Sequence, residues 1–292
     1  MENNLKQDAG QNWKIVRSRV CVRALLIFLG IILMQMLAYL VCVAGMVVWS
    51  AFLGKDSASL VSSLARINMS GSFLIWVSLV SAILSMIWCG ILYRKSSWRE
   101  KGFDYKKAFC LKNVLSEIGV GVGGCIVLTM FLTFLASIIP QAFLFYNTVM
   151  DQLTDSSTTV TIVYVLLVGP ISEELIFRGA ILDRFYLAFP FFIANMLQAA
   201  LFGLYHMNLI QGLYAFCLGF LLGMICHASG SILASIFTHI LFNGTSYALD
   251  FLFPEGQEMQ ILQVVVLVLI GALVFVLGFL HLLGIYQQKE KK

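Results

Sequence analysis

Long apolar runs separated by short polar stretches dominate the 292-residue chain. A helix needs about 20 apolar residues to cross a bilayer, and eight runs approach or exceed that length. They span residues 24–52, 73–93, 114–139, 160–181, 190–206, 209–227, 231–252 and 261–286. This pattern predicts an all-α fold, a polytopic integral membrane bundle of about eight transmembrane helices.

Composition supports the same class of protein. Hydrophobic residues make up 60% of the chain and charged residues 12%, with a mean hydropathy of +0.91, which excludes an ordinary soluble domain. We expect a polar N-terminal tail at residues 1–19 and a single membrane domain at residues 20–292. The first apolar run follows basic residues, as in a secretory signal, but its length predicts a retained membrane anchor.

Basic residues are distributed asymmetrically around these runs. If the N-terminus is cytoplasmic, every Lys and Arg except Lys55 and Arg66 falls on the cytoplasmic side, including the cluster in the loop at residues 94–112. Such a bias orients membrane proteins. We therefore predict that both termini are cytoplasmic. The short loops favour the plasma membrane of a bacterial cell as the location.

Other classes of partner and site fit the sequence less well. The basic clusters flank apolar runs and have no interleaved aromatic residues, so we expect them to meet the lipid bilayer and no nucleic acid. The seven cysteines include no C-x-x-C pair, which argues against a disulfide framework or a zinc ribbon. We interpret them as small apolar packing residues.

Ionisable residues inside the later apolar runs are the main candidates for chemistry, because such groups are costly in a bilayer unless they are paired or functional. They form three motifs. Glu173, Glu174 and Arg178 form E-E-x-x-x-R, Phe202 and His206 form F-x-x-x-H, and His239 and Asn243 form H-x-x-x-N. A spacing of four residues puts the ends of each motif on one helix face. Each helix can therefore aim its polar groups at a shared cavity.

Distances along the helices predict that these groups lie at a similar depth. Glu173 and His206 are each about 25 Å from the break near Pro190, at 1.5 Å per residue. His239 is about 13 Å from the break that precedes its own helix. The depths match if the turn near Pro190 protrudes into the cytoplasm, and the cavity would then open inward.

The residue types suggest peptide hydrolysis. Glu173, close to His206, could deprotonate a water molecule that attacks a carbonyl carbon. Glu174 with Arg178 is interpreted as the structural half of the acid pair. His239 and the Asn243 amide could stabilise the oxyanion, where the loss of one donor typically costs about 3 kcal/mol of barrier.

Metal dependence stays open at this stage. Two histidines and a glutamate match a catalytic zinc ligand set, although they come from three helices and form no H-E-x-x-H signature. The cofactor is therefore either none or a divalent metal such as zinc.

In this order on successive membrane helices, the three motifs resemble those of the CAAX prenyl protease and bacteriocin-processing (CPBP, or Abi) family of intramembrane endopeptidases. The resemblance covers residues 158–250. It implies that Glu173 holds the catalytic water, that His206 assists, and that His239 and Asn243 stabilise the oxyanion. It also implies a membrane-bound peptide or protein substrate, as in peptide maturation, bacteriocin self-immunity or CAAX-type processing.

Two other functions compete with an endopeptidase. A non-catalytic scaffold of the same family would keep the polar cluster for helix association, and a transporter could use buried carboxylates but usually shows internal repeats. Among the remaining polar residues, His227 and His281 are expected at the membrane interface. Glu117 and Asp250 are expected to be solvated near the ends of their helices.

Overall fold

The computed structural model describes residues 2–54, 56, 62, 71–94, 109–154, 159–253 and 260–290. These residues are helical with short connections and include no strand. We label the helices α1 Glu2–Phe52, α2 Gly71–Arg94, α3 Leu111–Ile138, α4 Pro140–Thr154, α5 Thr159–Tyr186, α6 Phe191–Tyr205, α7 Leu209–Ser229, α8 Ile232–Leu252 and α9 Ile261–Glu290.

The prediction of a polytopic all-α membrane bundle is confirmed. Within the described part of the chain, seven helices are long and apolar enough to cross a membrane, and α6 is a shorter apolar helix. Each of the eight predicted runs corresponds to one of these helices. Two features differ: α1 already begins at Glu2, and α4 was not predicted, since its polar residues interrupt the apolar pattern. Most of the basic loop, residues 95–108, lies outside the described residues.

Helix α3 packs closely against α9 through glycine. A Cβ atom on Gly123 would lie 2.5 Å from the Phe275 nitrogen, so only glycine allows this approach of the two backbones. The Ser116 hydroxyl donates a 2.6 Å hydrogen bond to the Gly278 carbonyl across the same interface. Small residues and side-chain hydrogen bonds are the usual means of helix association in lipid.

Helices α6 and α7 form a tight antiparallel hairpin. A Cβ atom on Gly203 would lie 2.6 Å from the Gly212 carbonyl oxygen, so the two backbones touch near the turn. Met207 adopts a left-handed conformation with φ of 53°, which ends α6, and the Asn208 side chain accepts hydrogen bonds from the first amides of α7. The turn thus fixes His206 at the end of α6.

Helix α5 lies in the interior of the bundle. It contacts α2, α6 and α8, and Ile176, Phe177 and Ile181 on it are almost completely buried. By contrast, α9 presents a row of large apolar side chains outward, as expected of a helix that faces lipid. The acidic pair of α5 is therefore placed where protein, and not hydrocarbon, surrounds it.

Two expectations about polar residues near helix ends were wrong. Glu117 is buried, with 3% of its surface exposed, because its part of α3 packs against α8 and α9. His227 is also buried and stacks on Phe191 with ring centroids 3.8 Å apart. The end of a helix in the sequence is therefore not always its exposed part in this bundle.

Candidate active site within the membrane bundle

Glu174 and Arg178 form a fully buried ion pair on α5. Neither side chain is exposed, and Arg178 Nη1 donates to Glu174 Oε1 at 2.8 Å. The other terminal nitrogen, Nη2, donates to the Gly219 carbonyl of α7 at 2.8 Å. An ion pair in low dielectric is stable only when further hydrogen bonds accompany it. Here the guanidinium is held between two helices.

His239 of α8 lies between the two adjacent glutamates. Its Nδ1 is 2.9 Å from Glu174 Oε1, and its Nε2 is 3.7 Å from Glu173 Oε2. Because Glu174 Oε1 already accepts a hydrogen bond from Arg178, we assign Nδ1 as the donor in its contact with the same oxygen. Nε2 is consequently the nitrogen that faces Glu173, and it holds either a lone pair or the proton of an imidazolium.

Glu173 differs from Glu174 in its surroundings. Its side chain is 15% exposed, and among the described residues its carboxylate has no guanidinium partner. Three tyrosines, Tyr164, Tyr205 and Tyr214, lie within electrostatic range of its charge. Glu173 is therefore the acid of the pair that has room to bind another molecule.

Phe202 of α6 joins the motifs in space. Its ring lies under the Arg178 guanidinium, 4.8 Å from Cζ, and its centroid is 4.9 Å from that of His206 and 6.1 Å from that of His239. A guanidinium over an aromatic face is stabilised by the ring quadrupole. Phe202 thus packs against groups from three helices. The sequence could not show this role, because the chain contains 23 phenylalanines.

Asn243 is bonded to the backbone of α5. Its Nδ2 donates to the Val165 carbonyl at 2.9 Å. This carbonyl lies in the π-helical segment Tyr164–Val168, in which the Gly169 amide bonds to the Tyr164 carbonyl. The next amide in that pattern would belong to residue 170, which is proline and has no N–H. Asn243 supplies the missing donor and keeps a second N–H.

The structure brings most of the predicted residues together. Glu173, Glu174, Arg178 and His239 form one connected cluster. His206 adjoins the cluster through Phe202, its Nδ1 lying 2.9 Å from the Phe202 carbonyl, and the described residues show no hydrogen bond or ion pair between His206 and Glu173. Asn243 is one helical turn beyond His239 on α8.

Two buried amides next to the cluster were missed. Asn195 and Gln198 of α6 are fully buried, and Gln198 Nε2 donates to the same Gly219 carbonyl as Arg178, at 2.9 Å. The sequence could have indicated Gln198, since Gln198, Phe202 and His206 recur every four residues on one face of the helix.

The residues as arranged do not form a metal ligand set. In the described part of the chain, no group of three or more His, Cys, Asp or Glu side chains is placed to hold a metal ion. His239 is committed to Glu174 through one ring nitrogen and faces Glu173 with the other.

Comparison with known proteins gives two matches. Residues 155–245 match the family model described as "Type II CAAX prenyl endopeptidase Rce1-like". A Bacillus subtilis protein named "Putative membrane peptidase YdiL" is 34% identical over 77 residues, which make up 26% of this chain and 32% of that protein. The alignment thus spans about a third of the relative's length. No solved structure matches the chain.

Proposed function

We propose that this membrane protein is a member of the CAAX protease (CPBP) family and hydrolyses a peptide bond of a membrane-associated peptide or protein. The matches of residues 155–245 and of the 77-residue segment support this proposal. The proposed reagent is a water molecule activated by Glu173. The observation that carries the proposal is the unequal environment of the two adjacent glutamates. Glu174 is held by Arg178 and His239, whereas Glu173 is partly exposed and faces His239 Nε2.

Glu173 acts as the general base. It takes a proton from water, whose oxygen attacks the carbonyl carbon of the scissile bond, and the proton then passes to the leaving nitrogen. His206, at the end of α6, is proposed to assist in holding the water. The cluster supports Glu173, and not Glu174, as the base, because the Glu174 carboxylate is already bonded to Arg178 and is not available to take a proton from water.

The oxyanion is stabilised by His239 and Asn243. His239 is proposed to donate from Nε2, the ring nitrogen that faces Glu173, because its Nδ1 is bonded to Glu174. Asn243 donates through the N–H that Val165 leaves available. Donors fixed before the reaction stabilise developing charge without reorganisation.

The test uses the purified full chain in liposomes with a panel of membrane peptides. Wild type should release defined fragments, and Glu173→Gln should release none while it still inserts. Glu117→Gln is the matched control, because it makes the same change at another acid inside the bundle, and it should cleave at the wild-type rate. A parallel sample treated with a chelator reports on metal dependence.

The outcomes separate the competing functions. Cleavage that survives Glu173→Gln in a preparation free of contaminating protease contradicts the mechanism. If wild type cleaves nothing while Glu173→Gln retains the biological effect of the protein in cells, the protein acts as a scaffold. Loss of cleavage in the chelated sample, restored by added zinc, would show that a metal takes part.

A further inference from the structure

A hydrogen-bonded network extends from the acid pair into the α6–α7 hairpin. The Gly219 carbonyl accepts from both Arg178 Nη2 and Gln198 Nε2, at 2.8 and 2.9 Å. Gln198 Nε2 also donates to Asn195 Oδ1 at 2.8 Å, and Asn195 Nδ2 donates to the Phe220 carbonyl at 2.9 Å. Three side chains and two helical carbonyls are thus connected in series.

Glycines on α7 make room for this network. A Cβ atom on Gly223 would overlap Asn195 Oδ1, and one on Gly219 would lie 2.8 Å from the Phe202 ring. The two glycines are one turn apart on α7, so together they open the face of that helix on which the amide side chains lie. A carbonyl within a helix has a second lone pair and can accept from a side chain without losing its own bond.

The network is not explained by stability alone. Gln198 Oε1 and Arg178 Nε have no hydrogen-bond partner among the described residues, although both atoms are buried. A buried polar network with unsatisfied atoms is less stable than apolar side chains of the same size. A role in fixing the orientation of neighbouring groups would account for the presence of these amides.

The neighbouring groups are those of the candidate active site. Gln198, Phe202 and His206 lie one turn apart on the same face of α6. The rotation of α6 about its axis that brings Gln198 to the Gly219 carbonyl therefore also determines the direction in which His206 points. The same carbonyl fixes Arg178, which holds Glu174, and Glu174 in turn holds His239 Nδ1.

We propose that Gln198, supported by Asn195, is a positioning residue that fixes α6 against α7 and thereby orients both histidines of the site. The part of this inference that concerns turnover rests on the proposed function. The described residues show no hydrogen bond from Gln198 to Glu173 or to either histidine. Its effect is expected on the rate of the chemical step and not on the affinity for substrate.

The kinetic test compares Gln198→Leu, Asn195→Ala and the double variant with wild type. Gln198→Leu should lower kcat about 10- to 100-fold with KM within about threefold, as expected when catalytic groups are misplaced. Asn195→Ala should have a smaller effect. The double variant should be no slower than Gln198→Leu, because both act through one network. Leu204→Ala, an exposed position on the same helix, is the control and should keep the wild-type kcat.

A second readout does not depend on turnover. Nitrogen-15 labelling of the four histidines allows the Nδ1–H of His239 to be assigned by comparison with His239→Asn. Gln198→Leu should shift or broaden this signal, and Leu204→Ala should not. If Gln198→Leu fails to insert, Asn195→Ala is used in both measurements, with about three- to tenfold lower kcat expected.

The two readouts separate the inference from the proposed function. A protein that cleaves no peptide, but whose His239 signal responds to Gln198→Leu, contradicts the proposed function and supports the positioning role. An active protein whose Gln198→Leu or Asn195→Ala variant keeps the wild-type kcat and His239 signal overturns the inference. Additive losses of thermal stability in the double variant, with kcat unchanged, also overturn the inference, since they show a structural role only.

Discussion

Two buried carboxylates in this bundle have opposite surroundings. Glu174 on α5 is bonded through Oε1 to Arg178 and His239, whereas Glu117 on α3 has no ion pair among the described residues. One oxygen of each carboxylate, Oε2, is buried without a hydrogen-bond partner in the described part of the chain. Both side chains are almost completely removed from the surface. Burial alone therefore does not show whether an acid belongs to the candidate site, but the partners around it do.

The comparison also shows what a charge inside the bundle requires. An ionised carboxylate in low dielectric is tolerated when a cation and further donors surround it. Glu174 meets this condition through groups from α5 and α8. A lone buried carboxyl such as Glu117 is expected to remain neutral, because its ionised form would lack such compensation.

Loss of Arg178 should give the largest effect. Arg178→Met leaves Glu174 buried without its cation, which is expected to destabilise the fold by about 3–5 kcal/mol. Thermal unfolding in detergent measures this change. The double variant Arg178→Met with Glu174→Gln should recover much of the loss, since no unpaired charge then remains. A single variant as stable as wild type would show that the pair is not important for folding.

Asn243→Ala should slow cleavage by about 10²-fold, through loss of one oxyanion donor. It also removes the bond to the Val165 carbonyl. Kinetic assays measure the first effect and thermal unfolding the second. Thr245→Ala is a suitable control, because it lies nearby on the same helix and its hydroxyl donates to the Leu241 carbonyl within α8. Equal kcat values for the Asn243 and Thr245 variants would contradict the assignment.

Glu117→Gln should have little effect. A neutral carboxyl and a carboxamide have nearly the same shape, so we expect the free energy of unfolding to change by less than about 1 kcal/mol. The same thermal assay tests this. A strong destabilisation would mean that Glu117 is ionised and paired, and the contrast with Glu174 would then disappear.

Met207→Gly should give the smallest effect, a rise in stability of about 0.5 kcal/mol, since glycine adopts the left-handed conformation without steric cost. Leu204→Gly, inside α6, should instead lower stability by about 1 kcal/mol. Denaturant unfolding of both variants measures the difference. A loss of stability in Met207→Gly would show that the methionine side chain makes compensating contacts.

The apolar pattern predicted the helices of the bundle because lipid imposes a minimum length on a spanning segment. It missed α4, whose polar residues Gln141, Asn147 and Asp151 interrupt the pattern. It also missed the π-helical segments of α5, since hydropathy carries no information on the register of backbone hydrogen bonds. Pro170 was the only local sign of the change near Val165.

The Glu174–Arg178 ion pair followed the predicted motif, because spacing along a helix determines which face a residue occupies. The neighbours of that face do not follow from spacing. The burial of Glu117 and His227 depends on the packing of helices that are distant in the sequence, and the Asn195 and Gln198 network depends on glycines of α7 that allow close approach.

Cleavage by Glu173→Gln and Glu117→Gln, measured side by side with wild type in one liposome preparation, tests the central claim most directly. Both variants replace a carboxyl by a carboxamide within the bundle. We predict that the cleavage rate of Glu173→Gln is more than about 10³-fold lower than that of wild type, as expected when a general base is removed. Glu117→Gln should keep the wild-type rate. Comparable rates for the two variants would contradict the account.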